Sequence, residues 1–232
     1  MERPRGRTLP SLRFRLAGIP VSVDLLFFVT ALFLGTSAGR DGASLLVWVA
    51  VVLTSVLWHE LGHALALRAF GYAPVVELWA FGGLTYRASG SRTPAGRFLV
   101  VTLAGPGAGL ILGGTVLLWL RTAAPLDLGP LAEAAIVDVL WVNIGWAILN
   151  MIPILPLDGG NALASFLDLV TRGRGMLPAR VVSVLLAGAG VVAAVLAREW
   201  WLALLAGFFL LTNASALRRP RRPAARAAPE ER

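Results

Sequence analysis

Apolar residues in this chain run in long blocks, separated by short arginine-bearing segments. A helix needs about 20 mostly apolar residues to cross a bilayer. Six blocks approach or exceed that length: Val21–Ala38, Ala43–Phe70, Gly96–Leu120, Leu131–Ile152, Leu177–Ala197 and Glu199–Leu217. A shorter apolar stretch, Leu155–Val170, follows the fourth block. The pattern predicts an all-α, multi-spanning membrane protein with six transmembrane helices. One inter-block segment breaks it. Between Tyr72 and Ala88, residues Val75, Val76, Leu78, Trp79, Phe81, Leu84 and Tyr86 favour strand, and Gly82-Gly83 supplies a turn. This reads as a small β-hairpin at the membrane boundary, or as an interfacial loop.

Composition agrees with the blocks. Of 232 residues, 57% are hydrophobic and 15% charged, and the mean hydropathy is +0.74. A water-soluble domain of this size needs more polar surface than that. Residues 1–217 read as one integral membrane core. Residues 218–232 read as an Arg-, Pro- and Ala-rich disordered tail in the cytoplasm. The basic start and first apolar block resemble a signal peptide, but the run is long and five more blocks follow.

Charge orients the spans. The net charge is +8, and every basic residue is arginine. A basic balance could point to nucleic acid, but here the arginines fall in alternate loops, as cytoplasmic loops of membrane proteins require. With the N-terminus inside, eighteen of the 21 arginines lie inside, and Arg40, Arg121 and Arg198 lie outside. The expected location is therefore the cell membrane, multi-pass, with both termini cytoplasmic and no nucleic-acid partner. Arginine without lysine, with abundant alanine and glycine, suggests a bacterial source with a GC-rich genome.

The second block carries the chemistry. It contains Trp58-His59-Glu60-Leu61-Gly62-His63-Ala64, and these are the chain's two histidines. Histidines four apart share a helical face and can hold one Zn²⁺, with the intervening glutamate placed to act on water. Two histidines packed in a bundle are the bland alternative, but ionisable groups inside a membrane are costly without a function. A hydrolytic zinc site takes three protein ligands. With no cysteine and no further histidine, the third must be acidic. Asp158, in Asn150–Gly160 (NMIPILPLDGG), follows the fourth block at the same predicted face of the membrane. Pro153 and Pro156 deny this stretch a regular helix, and Gly159-Gly160 permit unusual dihedrals. The alternative role for Asp158 is to cap the helix that follows. Asn143 and Asn150 are seven apart on one helical face. They are candidates for hydrogen-bonding ligands, substrate or an oxyanion, or else for polar contacts between helices. Gly105, Gly109 and Gly113 form a stripe read as helix packing.

These residues resemble the site-2 protease family of intramembrane zinc proteases. The likeness runs over roughly residues 15–170. It includes GIPV at Gly18–Val21, HELGH at His59–His63, FGG at Phe81–Gly83, AGP at Ala104–Pro106 and N-x-x-P-x-x-P-L-D-G at Asn150–Gly159. The resemblance implies that His59, His63 and Asp158 bind zinc, one ion per chain, and that Glu60 is catalytic. It further implies cleavage of transmembrane protein substrates near the cytosolic face, in regulated proteolysis. Substrate contacts would fall to Asn150, Asn143, Gly82 and Gly83, with a hairpin edge pairing to unwound substrate. Gly109 and Asp24 depart from the family's usual Asn and His, away from the metal ligands. An inactive adaptor and a zinc transporter are the rival functions. Neither needs Glu60 as a base.

Overall fold

The computed structural model describes residues 10–88, 93–122 and 128–218. The predicted tail, apart from Arg218, lies outside the described residues. The chain opens with two strands, β1 (Ser11–Leu16) and β2 (Ile19–Asp24), then α1 (Leu25–Ser37) and the long α2 (Gly42–Ala69). A second strand pair follows, β3 (Pro74–Trp79) and β4 (Gly82–Arg87), and then α3 (Ala95–Thr122). The next span runs from Pro130 to Asn150 as α4 (Pro130–Leu140), a π-helical segment (Trp141–Gly145) and α5 (Trp146–Asn150). The short α6 (Asp158–Val170), α7 (Met176–Leu196) and α8 (Trp200–Arg218) complete the order.

Among the described residues, five helices are long and apolar enough to cross a membrane: α2, α3, the α4–α5 span, α7 and α8. The first predicted block is the exception. Its opening residues are taken by β2, leaving α1 with 13 residues. At 1.5 Å per residue α1 reaches about 20 Å, short of the roughly 30 Å hydrocarbon core. The reason is local: Ile19, Val21 and Val23 alternate with Pro20, Ser22 and Asp24, a period of two.

The strands form one sheet in the order β1-β2-β3-β4, so the expected hairpin is half of a larger structure. β1 and β2 are antiparallel across Ala17-Gly18, both at positive φ, as the tightest hairpin turns require. β2 and β3 pair in parallel, with Val21 beside Val76 and Val23 beside Leu78. β3 and β4 turn at Ala80-Phe81, and Gly82-Gly83 open β4 rather than form the turn. Ile19, Val21, Val23, Val76 and Leu78 share one buried face, packed with Phe27 and Ala31 of α1 and Trp48, Val52, Val56 and Ala64 of α2. This core fixes the sheet against α2, so β4 runs beside the histidine motif.

Candidate metal centre

His59, Glu60 and His63 lie on α2, well inside its length. The fourfold spacing stacks the histidine rings on one face, with centroids 4.9 Å apart. Asp158 is the first residue of α6, after Leu157 at the cap. Its carboxylate does not cap that helix; Oδ2 reaches back to α2. It lies 3.0 Å from His59 Nε2 and 3.4 Å from His63 Nε2, and the two Nε2 atoms are 3.2 Å apart.

These three atoms fit zinc. Ligands at the usual 2.0–2.1 Å around a tetrahedral ion sit about 3.3 Å from one another, and the three observed edges bracket that value. The outer partner fits as well. His63 Nδ1–H donates to the Val101 carbonyl at 2.7 Å, which leaves Nε2 unprotonated toward the ligand face.

Glu60 projects beside this triangle. Its carboxylate and the two histidine donors lie within 4.8 Å of one another. Glu60 is 5% exposed, and the wall that buries it is β4. The Thr85 hydroxyl donates to Glu60 Oε2 at 2.6 Å. A Cβ on Gly83 would lie 2.3 Å from Glu60 Cγ and Oε1. Gly83 is thus where strand backbone and carboxylate touch, and Gly82, one residue away, meets nothing at its own Cβ position. Gly105 does the same for His63: a Cβ there would fall 2.2 Å from Nε2. Gly105 therefore belongs to the site, beyond the helix packing read from the glycine stripe. Gly109 and Gly113 meet the Asn143 carbonyl and the Ile144 side chain, as packing glycines do.

The two asparagines part company. Asn150 Nδ2 comes within 3.5 Å of His59 Nε2, at the rim of the metal centre. Asn143 donates to Ser55 Oγ at 2.8 Å and to the Val139 carbonyl at 2.9 Å. Ser55 is one helical turn before His59, so Asn143 ties the π-helical segment to α2 away from the candidate ligands. Gly159 and Gly160 also work differently from expectation. Neither takes a positive φ. Their missing side chains let α6 rest on the preceding loop, where a Cβ would meet Met151 O at 2.2 Å or Ile154 C at 2.4 Å.

Thr85, Ser55 and the Val101 carbonyl carry no motif of their own, and the AGP motif and glycine stripe that hold Gly105 do not point to His63. Thr85 is the one with a readable signal: it sits two residues after Gly83 on the same strand face.

No protein-family model matches the chain. Relatives named as zinc metalloproteases do. One from Synechocystis, named provisionally, is 33% identical over 224 residues, covering 86% of this chain and 57% of the relative. The provisionally named zinc metalloprotease Rip3 of Mycobacterium tuberculosis is 34% identical over 178 residues, covering 71% of this chain and 44% of its own. The chain spans about half the length of these relatives. Among solved structures, the site-2 protease from Methanocaldococcus jannaschii matches with a TM-score of 0.64 and 23% identity, over 93% of this chain and 99% of that one. In sequence the chain is similar to proteins named zinc metalloproteases, and in fold it is similar to a site-2 protease.

Proposed function

We propose that the chain is a zinc-dependent intramembrane endopeptidase that hydrolyses peptide bonds of transmembrane proteins near the cytoplasmic face, in regulated proteolysis. The observation that carries this is the triangle of His59, His63 and Asp158 donor atoms with the Glu60 carboxylate beside it. His59, His63 and Asp158 hold one zinc per chain. The metal supplies Lewis acidity, which brings the pKa of a water to about 7.

The chain's own groups do the rest. Glu60 accepts the proton of the attacking water and delivers it to the leaving amine. Thr85 aims the Glu60 carboxylate through its hydrogen bond. Asn150, at the rim, donates to the oxygen that gains charge as the carbonyl is attacked. A helical peptide bond is shielded by its own hydrogen bonds, so the substrate is held extended. β4 is an edge strand of the sheet and carries Gly83 and Thr85 against Glu60. Substrate pairing to that edge would set the scissile bond beside the base.

In the membrane, the arginine distribution supports cytoplasmic termini and cytoplasmic loops at Tyr72–Arg97 and Thr171–Arg180. α1, with β2 leading into it, makes the sixth passage in this reading. Lipid and a transmembrane substrate are the expected partners.

Glu60→Gln is the test. It keeps size and hydrogen-bonding capacity and removes the base. Zinc content and cleavage measured on one purified sample should show full metal and a loss of at least roughly 10²-fold in cleavage. Cleavage at the wild-type rate would end the proposed mechanism. Loss of zinc would make Glu60 a ligand or a structural group.

A further inference from the structure

Asp158 reaches the histidines only because the loop before it is held, and the holders come from two helices that bring no side chain to the metal. The Leu155 N–H donates to Ser183 Oγ of α7 at 2.9 Å. The Leu155 carbonyl accepts from Asn213 Nδ2 of α8 at 2.6 Å. Both backbone groups of one residue are thus bound by side chains from two different spans.

We propose that Ser183 and Asn213 are positioning residues for Asp158: by fixing the peptide groups of Leu155 they set the zinc affinity of the His59–His63–Asp158 site. The inference rests on the metalloprotease reading above.

Four observations carry it. First, the loop needs outside partners. Its own turns use Ile154 N–H to Ile152 O and Leu157 N–H to Ile154 O. Pro153 and Pro156 donate nothing, and unpaired backbone groups at membrane depth are costly. Second, Ser183 and Asn213 are 0% and 3% exposed on otherwise apolar helices. A buried polar side chain in such a helix is costly unless it is bonded. Third, each side chain also bonds its own helix. The Ser183 hydroxyl donates to Ala179 O at 2.7 Å, and Asn213 Nδ2 also donates to Phe209 O at 2.9 Å. Each side chain is therefore locked in place before it meets the loop. Fourth, the hold is passed on rigidly. A Cβ on Gly160 would lie 2.4 Å from Ile154 C and Leu155 N. The first turn of α6, which begins with Asp158, is seated on the peptide that Ser183 grips, and Asn213 holds the peptide that follows it.

The test is zinc affinity by chelator competition on the full chain in detergent. Ser183→Ala combined with Asn213→Leu keeps both helices apolar and removes the grip. Affinity should fall about 10- to 100-fold, the usual cost of losing the groups that orient a metal ligand. In an Asp158→Ala background, titrated at raised zinc, the same pair of substitutions should change nothing further, because the ligand it positions is gone. A general loosening would lower affinity by the same factor in both backgrounds, and that outcome overturns the proposal. Unchanged affinity when Asp158 is present overturns it too. Thr212→Val, exposed on α8 one residue from Asn213, should leave affinity as it was. A native chain that binds no zinc would sink the metalloprotease reading and this inference together. A zinc-binding chain indifferent to the grip sinks only the inference.

Discussion

The Thr85 hydroxyl lies 2.6 Å from Oε2 of Glu60 and 3.1 Å from the Glu60 backbone carbonyl. One proton serves both acceptors, so strand β4 holds the side chain and main chain of the same residue. A base works only when it points at the proton it takes, and Thr85 restricts the rotamers of Glu60 without touching the metal ligands. Thr85→Val keeps the shape and removes the donor. We expect zinc content to stay at the native level while kcat falls about tenfold, roughly 1.4 kcal/mol. Thr85→Ser should recover most of the loss. Equal kcat for the valine and native proteins would remove Thr85 from the mechanism.

The three proposed metal ligands should contribute unequally. His59 and His63 are fixed by one rigid helix, whereas Asp158 arrives from a separate element. His59→Ala should abolish activity and lose most of the metal. Asp158→Ala leaves two ligands on one face, so zinc binding should weaken without vanishing, and activity should be lost. Metal analysis beside a cleavage assay checks both. Full zinc and full activity in Asp158→Ala would mean that the third ligand is elsewhere.

The local motifs were readable because their chemistry depends on spacing along one element. His59 and His63 need only a helix to share a face, and Pro153, Pro156 and Asp158 need only a break after a span. What stayed hidden depends on distant partners. The strand β2 reads as part of a span because Val21 and Val23 are as apolar as the helix they precede. The alternating Leu12, Phe14 and Leu16 between Arg13 and Arg15, followed by Ala17-Gly18, was the available sign of a hairpin there. Asn143 and Asn150 share a face by heptad counting, yet seven residues of helix are about 10 Å of rise. That separates the rim of the metal centre from Ser55, one turn away. Nothing in the sequence near Ser183 or Asn213 points to Leu155.

Orientation in the membrane can be read directly, because the native chain has no cysteine. Single cysteines at Arg174 and Arg198 mark opposite ends of α7, and both positions are exposed. Under the arginine distribution, Arg174 faces the cytoplasm and Arg198 the exterior. In intact cells, an impermeant thiol reagent should label the cysteine at 198 and leave 174 unlabelled until the membrane is opened. Labelling of 174 from outside would invert the whole arrangement.

Gly105 and Gly107 separate a site contact from helix propensity. Both lie in α3, two residues apart, so alanine improves the intrinsic helix tendency at each by a similar amount, up to about 1 kcal/mol. Their surroundings differ. A Cβ at Gly107 meets nothing within 4 Å, whereas at Gly105 it falls 2.2 Å from His63 Nε2 and 2.5 Å from Cε1. The imidazole cannot simply swing aside, because its Nδ1–H is bonded to Val101 O of the same helix at 2.7 Å. Either that bond breaks or α3 moves away from α2, where a Cβ on Gly62 would already lie 2.5 Å from the Ala104 carbonyl. Both responses displace Nε2 from the other two donors. Gly105→Ala should therefore lower zinc affinity at least about tenfold, the lower bound for disturbing a ligand's support. Gly107→Ala should bind zinc as the native chain does and melt at an equal or higher temperature. The two measurements, chelator competition and thermal unfolding in detergent, must move independently. If both variants keep native affinity, the close approach of α3 to His63 is not a feature of the working site.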